Sequence, residues 1–223
     1  MKRTLTILAL LGALLQAAQE RFDMKVRNYF FAGLAGDATS LQQGMEICEE
    51  ILAQDPKQAE PLVWHGMGLV ARSRDAFQKG DQQTGITLWD RGLKEMDQAV
   101  EIAPDSLGVR IVRGAVLLTA THYLHNLDVE RPLIEKGISD YEKAYSVQGP
   151  GLSHLGTHKS GELMLGLADG YSRLGDQGKA RAWFERIQKE LPGTSYEKSA
   201  AAWLENGTLP PAQAGCLSCH TSK

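Results

Sequence analysis

One pattern, repeated four times, constrains this chain more than any other feature. Gly44 is followed four residues on by Cys48 and three further by Ile51, and the run closes at Pro56. The same layout recurs as Gly92, Met96, Ala99 and Pro104, as Gly137, Tyr141, Ala144 and Pro150, and as Ala180, Phe184, Ile187 and Pro192. Residues spaced by four and seven lie on one face of an α-helix. A small residue on that face lets a neighbouring helix approach closely, and proline cannot continue a helix. Each segment therefore reads as the second helix of a hairpin, packed against a partner just upstream. Strand signals are scarce throughout, and helix-period apolar spacing is nearly continuous.

The upstream partners agree. Trp64, Met67, Gly68 and Ala71 mark one first helix, and Leu167, Ala168 and Tyr171 lead through Gly175 into Ala180 in the last unit. On these residues the chain resembles the tetratricopeptide repeat family, whose helix-turn-helix units stack into a superhelix. The fold this implies is all-α: a right-handed solenoid of about four such units. Tyr196 to Glu205, carrying Ala200, Ala201, Trp203 and Leu204, reads as a capping helix for the open end. The small residues are 48, 45 and 43 positions apart, against ~34 in the family. The extra length is expected in the connections, notably Ala76 to Gly85, His125 to Pro132 and Gly149 to Ser160, and the unit around Asn28 to Gly36 matches least well.

Two segments flank this body. Lys2-Arg3, the apolar run Leu5 to Leu15 and the small pair Ala17-Ala18 form the layout of a secretory signal peptide. The expected division is a signal peptide over 1–18, a helical-repeat domain over 24–205 and an extended tail over 206–223. The mature chain is expected to be periplasmic or secreted, with no membrane span. A net charge of -3 and no long basic run exclude a nucleic-acid binder.

The tail carries the chemistry. After Asn206-Gly207 and Leu209-Pro210-Pro211 comes Cys216-Leu217-Ser218-Cys219-His220. Two cysteines two residues apart and followed by histidine are the attachment signature of c-type haem. Cys216 and Cys219 would form thioethers to one covalent haem, and His220 would be the proximal iron ligand. Oxidised thiols and a zinc half-site are the alternatives. Cys48 reads as a small buried apolar residue. Because the motif closes the chain, a sixth iron ligand must come from the helical body, from another chain or from water. The histidine pairs His122/His125 and His154/His158, three and four apart, are the distal or metal candidates; on a helix each pair would share a face.

Tetratricopeptide arrays bind proteins on the face lined by each unit's first helix, so the resemblance implies a partner surface, here guessed at His65, Leu69, Arg72, Arg110 and Arg113. No pattern for nucleophilic or acid–base catalysis stands out. The sequence thus predicts an exported interaction scaffold that passes electrons between its tail haem and a docked protein, and not an enzyme. The alternatives are an assembly adaptor whose tail carries no haem and, last, a haem sensor or peroxidase-like site.

Overall fold

The computed structural model describes residues 21–149 and 156–209. The signal-peptide expectation over 1–18, His154, Pro150 and the Cys-x-x-Cys-His run lie outside the described residues. The described chain is all-helical, with nine α-helices and no strand among those residues. They are α1 (Phe22–Leu34), α2 (Ala38–Gln54), α3 (Ala59–Gln78), α4 (Gln82–Ile102), α5 (Leu107–Ala120), α6 (Leu127–Gln148), α7 (Thr157–Arg173), α8 (Gln177–Glu190) and α9 (Ser195–Asn206). A 3₁₀ turn, Thr121–Tyr123, follows α5.

The helices pair as α1/α2, α3/α4, α5/α6 and α7/α8, and each pair packs on the next. The odd-numbered helices also touch one another in order, α1 to α3 to α5 to α7 to α9, so they form a continuous row along one side. Two hydrophobic clusters fill the body. Phe30, Met45, Val63 and Met96 belong to the first, and Ile134, Leu167, Phe184 and Trp203 to the second. α5 is the seam between them, since the consecutive residues Leu117 and Leu118 go to opposite clusters.

The small residues at the head of the recurring pattern sit where expected. A methyl group added at Gly92 would lie 2.7 Å from the carbonyl oxygen of Gly66 in α3. At Gly44 it would meet the Phe30 ring of α1 at 2.9 Å, and at Gly137 the Leu118 side chain of α5 at 2.9 Å. Ala180 is fully buried. The helix stops also hold: α2, α4 and α8 each end two residues before Pro56, Pro104 and Pro192.

The turn inside each hairpin is a second repeat, one that sequence reasoning missed. α1 ends with Gly36 at φ 110°, where the Gly36 N–H donates to the Gly33 carbonyl and the Asp37 N–H to that of Ala32. α3 ends in the same way on Gly80-Asp81, and α7 on Gly175-Asp176. These are Schellman endings, which need a left-handed residue and therefore favour glycine. In each, the aspartate then caps the next helix: Asp37 accepts from Ser40 N–H at 3.0 Å, Asp81 from Thr84 at 3.1 Å, and Asp176 from Lys179 at 3.0 Å. In the third hairpin His125, at φ 53°, and the capping Asn126 stand in these two places.

In two of the three expected places the extra residues are not in loops; residues 150–155 of the third, Gly149 to Ser160, lie outside the described residues. The connection after α3 is only Lys79 to Asp81, so most of Ala76 to Gly85 is helical, and α6 begins at Leu127 and runs through Pro132. The capping residue precedes the packed small residue by four positions in the last hairpin, seven in the first and eleven in the two middle ones. The differences, three and seven residues, are close to one and two turns of 3.6. Helices thus lengthen by whole turns, and the small residue keeps facing its partner.

The chain ends its described part with α9, whose Tyr196, Ala200 and Trp203 are buried. Trp203 stacks on Phe184 at 4.4 Å, and Gly207 closes the helix at φ 74°. Gly92→Ala should destabilise the fold by ~1–3 kcal/mol, because a backbone carbonyl blocks the new methyl group. The measurement is a lower urea midpoint with unchanged m-value, even though alanine is the better helix former.

Candidate functional site: a groove along the odd-numbered helices

The row of odd-numbered helices encloses a groove of about 1070 Å³, larger than the ~300–1,000 Å³ of small-molecule pockets. Its α3 wall is Glu60, Trp64, Met67, Ala71, Arg74 and Phe77, and its α5 wall includes Ile111, Ala115, Thr119 and Tyr123. Phe31 of α1, Trp89 of α4 and Leu163 of α7 extend the apolar lining. These positions recur at three and four residues, so each helix turns one stripe inward.

Charge sits at intervals along this lining. Arg27 and Arg74 come from α1 and α3, and Lys159 from α7. The Arg74 Nε is buried without a hydrogen-bond partner among the described residues. Glu60 also lines the groove; burial, with Asp23 nearby, raises its pKa above the ordinary carboxyl value against the opposing pull of Arg21. An apolar trough with separated charges of both signs suits an amphipathic peptide segment.

None of the five expected partner residues lines this groove. His65 is buried, with Nδ1 2.5 Å from Glu95 and Nε2 3.2 Å from Glu49. Leu69 is 2% exposed, inside the first cluster, and Arg72 donates to Gln42 of α2. Arg113 donates to both oxygens of Asp140 at 2.7 and 2.9 Å and to Asp97 at 2.9 Å. Arg110 also donates to Asp140, at 2.7 Å. On α3 the expected His65 and Arg72 each lie one residue past the groove-lining Trp64 and Ala71, a rotation of about 100°. Sequence reasoning placed the polar stripe in the groove; the polar groups instead join helices, and the groove takes the apolar stripe.

The arginine cluster explains that choice. Asp140 is fully buried, and a buried carboxylate without partners would be costly. Burial alone would lower the Arg113 pKa, but the hydrogen bonds and charge of Asp140, then Asp97, outweigh it and raise it. Lys136 adds a contact to Asp97 at 2.6 Å, so α4, α5 and α6 are tied together by charge.

The histidine candidates part company. His122 lies in the 3₁₀ turn with its Nε2 2.7 Å from Asp169. His125 is exposed in the following turn at positive φ, so the two do not share a helical face. His158, at the start of α7, lines the groove and has its Nδ1 3.1 Å from the Tyr196 hydroxyl. Among the described residues no group of three or more His, Cys, Asp or Glu side chains is placed to hold a metal ion. Cys48 is buried as expected; burial, reinforced by Glu49 and Glu95, pushes its thiol up to about 12.

No family model matches the chain, and no curated protein or solved structure is found to be similar to it. Arg113→Met should cost ~3–5 kcal/mol, the scale for breaking a buried ion pair by removing one partner. The Arg113→Met/Asp140→Leu double variant should recover part of that loss in urea unfolding; a double variant worse than the sum of the singles would contradict it.

Proposed function

We propose that this protein is an exported, tetratricopeptide-like docking scaffold that carries one covalent c-type haem on its tail and exchanges electrons with a protein held in its groove. Four hairpins in sequence order, a shared first-helix row and α9 in the position of a fifth first helix support the solenoid reading. The carrying observation is the pairing, on one chain, of a groove running along the first helices with the Cys216-x-x-Cys219-His220 run. No helix among the described residues is long and apolar enough to cross a membrane.

The chemistry at the tail follows from the residue types. Cys216 and Cys219 would each hold the haem by a thioether, the thiol hydrogen passing to the neighbouring vinyl carbon with no net electron lost. His220 would offer an imidazole nitrogen to the iron. Haem held this way supplies a reversible one-electron centre. The scaffold's part is to keep a docked protein near it, where tethering raises the effective concentration of the redox centre.

Export of the full chain alongside haem-attachment machinery should give a product whose mass shows loss of the leader and gain of one haem, with a covalent Soret band. Cys216→Ala/Cys219→Ala should remove the band and leave the helical signal unchanged. Thiol labelling gives a second check. The buried, high-pKa Cys48 should stay unreactive near pH 8 in the native chain, so the haem-loaded protein should label at no cysteine and, once unfolded, at Cys48 alone. A colourless, fully exported product that labels at both tail cysteines would refute the haem reading and leave a docking adaptor.

A further inference from the structure

We propose that the groove takes an amphipathic α-helix of about 17 residues, lying antiparallel to α3 and α5, with an acidic residue in its first turn against Arg74. The proposal rests on the reading of the groove as a docking site and needs nothing of the haem.

The dimensions fit a helix. A methyl group added at Gly108, at the start of α5, would lie 3.4 Å from a Glu60 carboxyl oxygen at the start of α3. The two helices therefore begin at the same end, and the lining follows α3 from Glu60 to Gln78 and α5 from Leu107 to the turn at Tyr123. Glu60 to Phe77 is a run of about 26 Å at 1.5 Å per residue. Spread over that length, a groove of about 1070 Å³ has a cross-section of about 40 Å², close to half that of a helix 10–12 Å across. One face of a helix fills it and the other face stays in solvent.

The middle of the groove decides between a helix and an extended segment. Met67, Ala71, Ile111 and Ala115, with the rings of Trp64 and Trp89, make it apolar. An extended segment laid there would leave backbone N–H and C=O groups without partners over several residues, and no strand among the described residues offers an edge to pair with. A helix bonds its own backbone, and apolar residues spaced by three and four on one face match the stripes of α3 and α5.

Charge sets the direction. Arg74 stands towards the end formed by Phe77 and Tyr123, and no other charged side chain among the described residues lines that end. Its Nε is buried without a partner, and its Nη2 reaches the neighbouring Asp75 only at 3.4 Å, beyond the usual range for an N–H···O bond. Arg74 also precedes the last turn of α3, so it does not serve as a C-terminal cap. At the opposite end the signs balance. Arg21 is paired with Asp23 at 2.9 Å, Lys159 and Glu162 lie three apart on α7, and Arg27 and Glu60 complete the set. Both α3 and α5 turn their C-termini, which carry partial negative charge, to the Arg74 end. A docked helix with its N-terminus there sets its dipole against theirs. An Asp or Glu in its first turn is then stabilised by its own helix and by the guanidinium together.

The experiment selects displayed random peptides of about 20 residues, long enough to span the groove as a helix, on the immobilised full chain. Recovered sequences should carry apolar residues at i, i+3, i+4 and i+7, with Asp and Glu enriched at the N-terminal side of that stripe. Selection on Arg74→Gln should keep the stripe and lose the acids. The Arg74 side chain is 32% exposed, so this variant should keep its urea midpoint. For the tightest peptide, Arg74→Gln and an acid-to-amide change in the peptide should each weaken binding by about fivefold or more, and the two together by little more than either. A photo-crosslinker on the peptide N-terminus should attach near Phe77 or Tyr123, and one on its C-terminus near Lys159. Alternating or proline-rich sequences would overturn the helix. Acids enriched at the C-terminal side, acids still selected by Arg74→Gln, or crosslinks in the reverse order would overturn the direction. Each of these would leave a docking groove in place. No enriched sequence, or crosslinks only outside the groove, would overturn the docking reading itself and this proposal with it.

Discussion

Everything in this molecule depends on how closely two helices can lie within a hairpin. At the Gly66–Gly92 crossing the backbones meet with no side chain between them, and Gly44 and Gly137 admit a ring or a leucine in the same way. Close approach brings long rows of side chains into contact, and the apolar stripes at the fourth and seventh following positions are buried as a result. The long middle helices are tolerated because their added residues come as near-whole turns. Any other increment would rotate the small residue away from its partner and open the hairpin.

The turn chemistry then orders the hairpins. In the first, second and fourth hairpins a left-handed glycine followed by a capping Asp closes one helix and opens the next within three residues, and in the third His125 and Asn126 do so after a 3₁₀ turn. Hydrogen bonds from Ser40, through its backbone N–H and then its hydroxyl, hold the Asp37 carboxyl below its usual range. Those from Thr84, its hydroxyl first, do the same for Asp81. Because both folded-state values are depressed, the caps contribute above about pH 4 and their contribution is lost as pH falls through the carboxylate range. With four turns on one edge, the first helices fall into a row, and a groove along that row follows from the stacking alone.

Charge has a structural task here before any recognition task. Asp140 lies beneath α5 with two arginines on it, and Arg113 reaches on to Asp97 of α4. On the other side of α5, Arg173 gathers Thr121, the Leu118 carbonyl and Glu130, while His122 holds Asp169. These contacts lock the seam between the two hydrophobic clusters. The arginines of α5 are engaged in this way on faces that meet neighbouring helices, while charge in the groove sits at separated positions such as Arg27, Glu60, Arg74 and Lys159.

Much of the fold was legible in the chain. The all-helical class, the four second helices, the stops at Pro56, Pro104 and Pro192, the buried Cys48 and the terminal helix closed at Gly207 all follow from spacing and from residue chemistry, which act within a few residues. The Gly-Asp turns are equally local, visible at 36–37, 80–81 and 175–176, with His-Asn in the same place in the third hairpin. What the sequence alone could not decide was rotation. Trp64 and His65 differ by one position and by about 100° around α3, and only packing against α2 and α4 shows which of them faces the groove. Arg113 with Asp140, and Arg173 with Glu130, join residues 27 and 43 positions apart, and such pairs carry no periodic signal. Local periodicity determined the elements; the tertiary contacts decided which face of each became core, ionic seam or open groove.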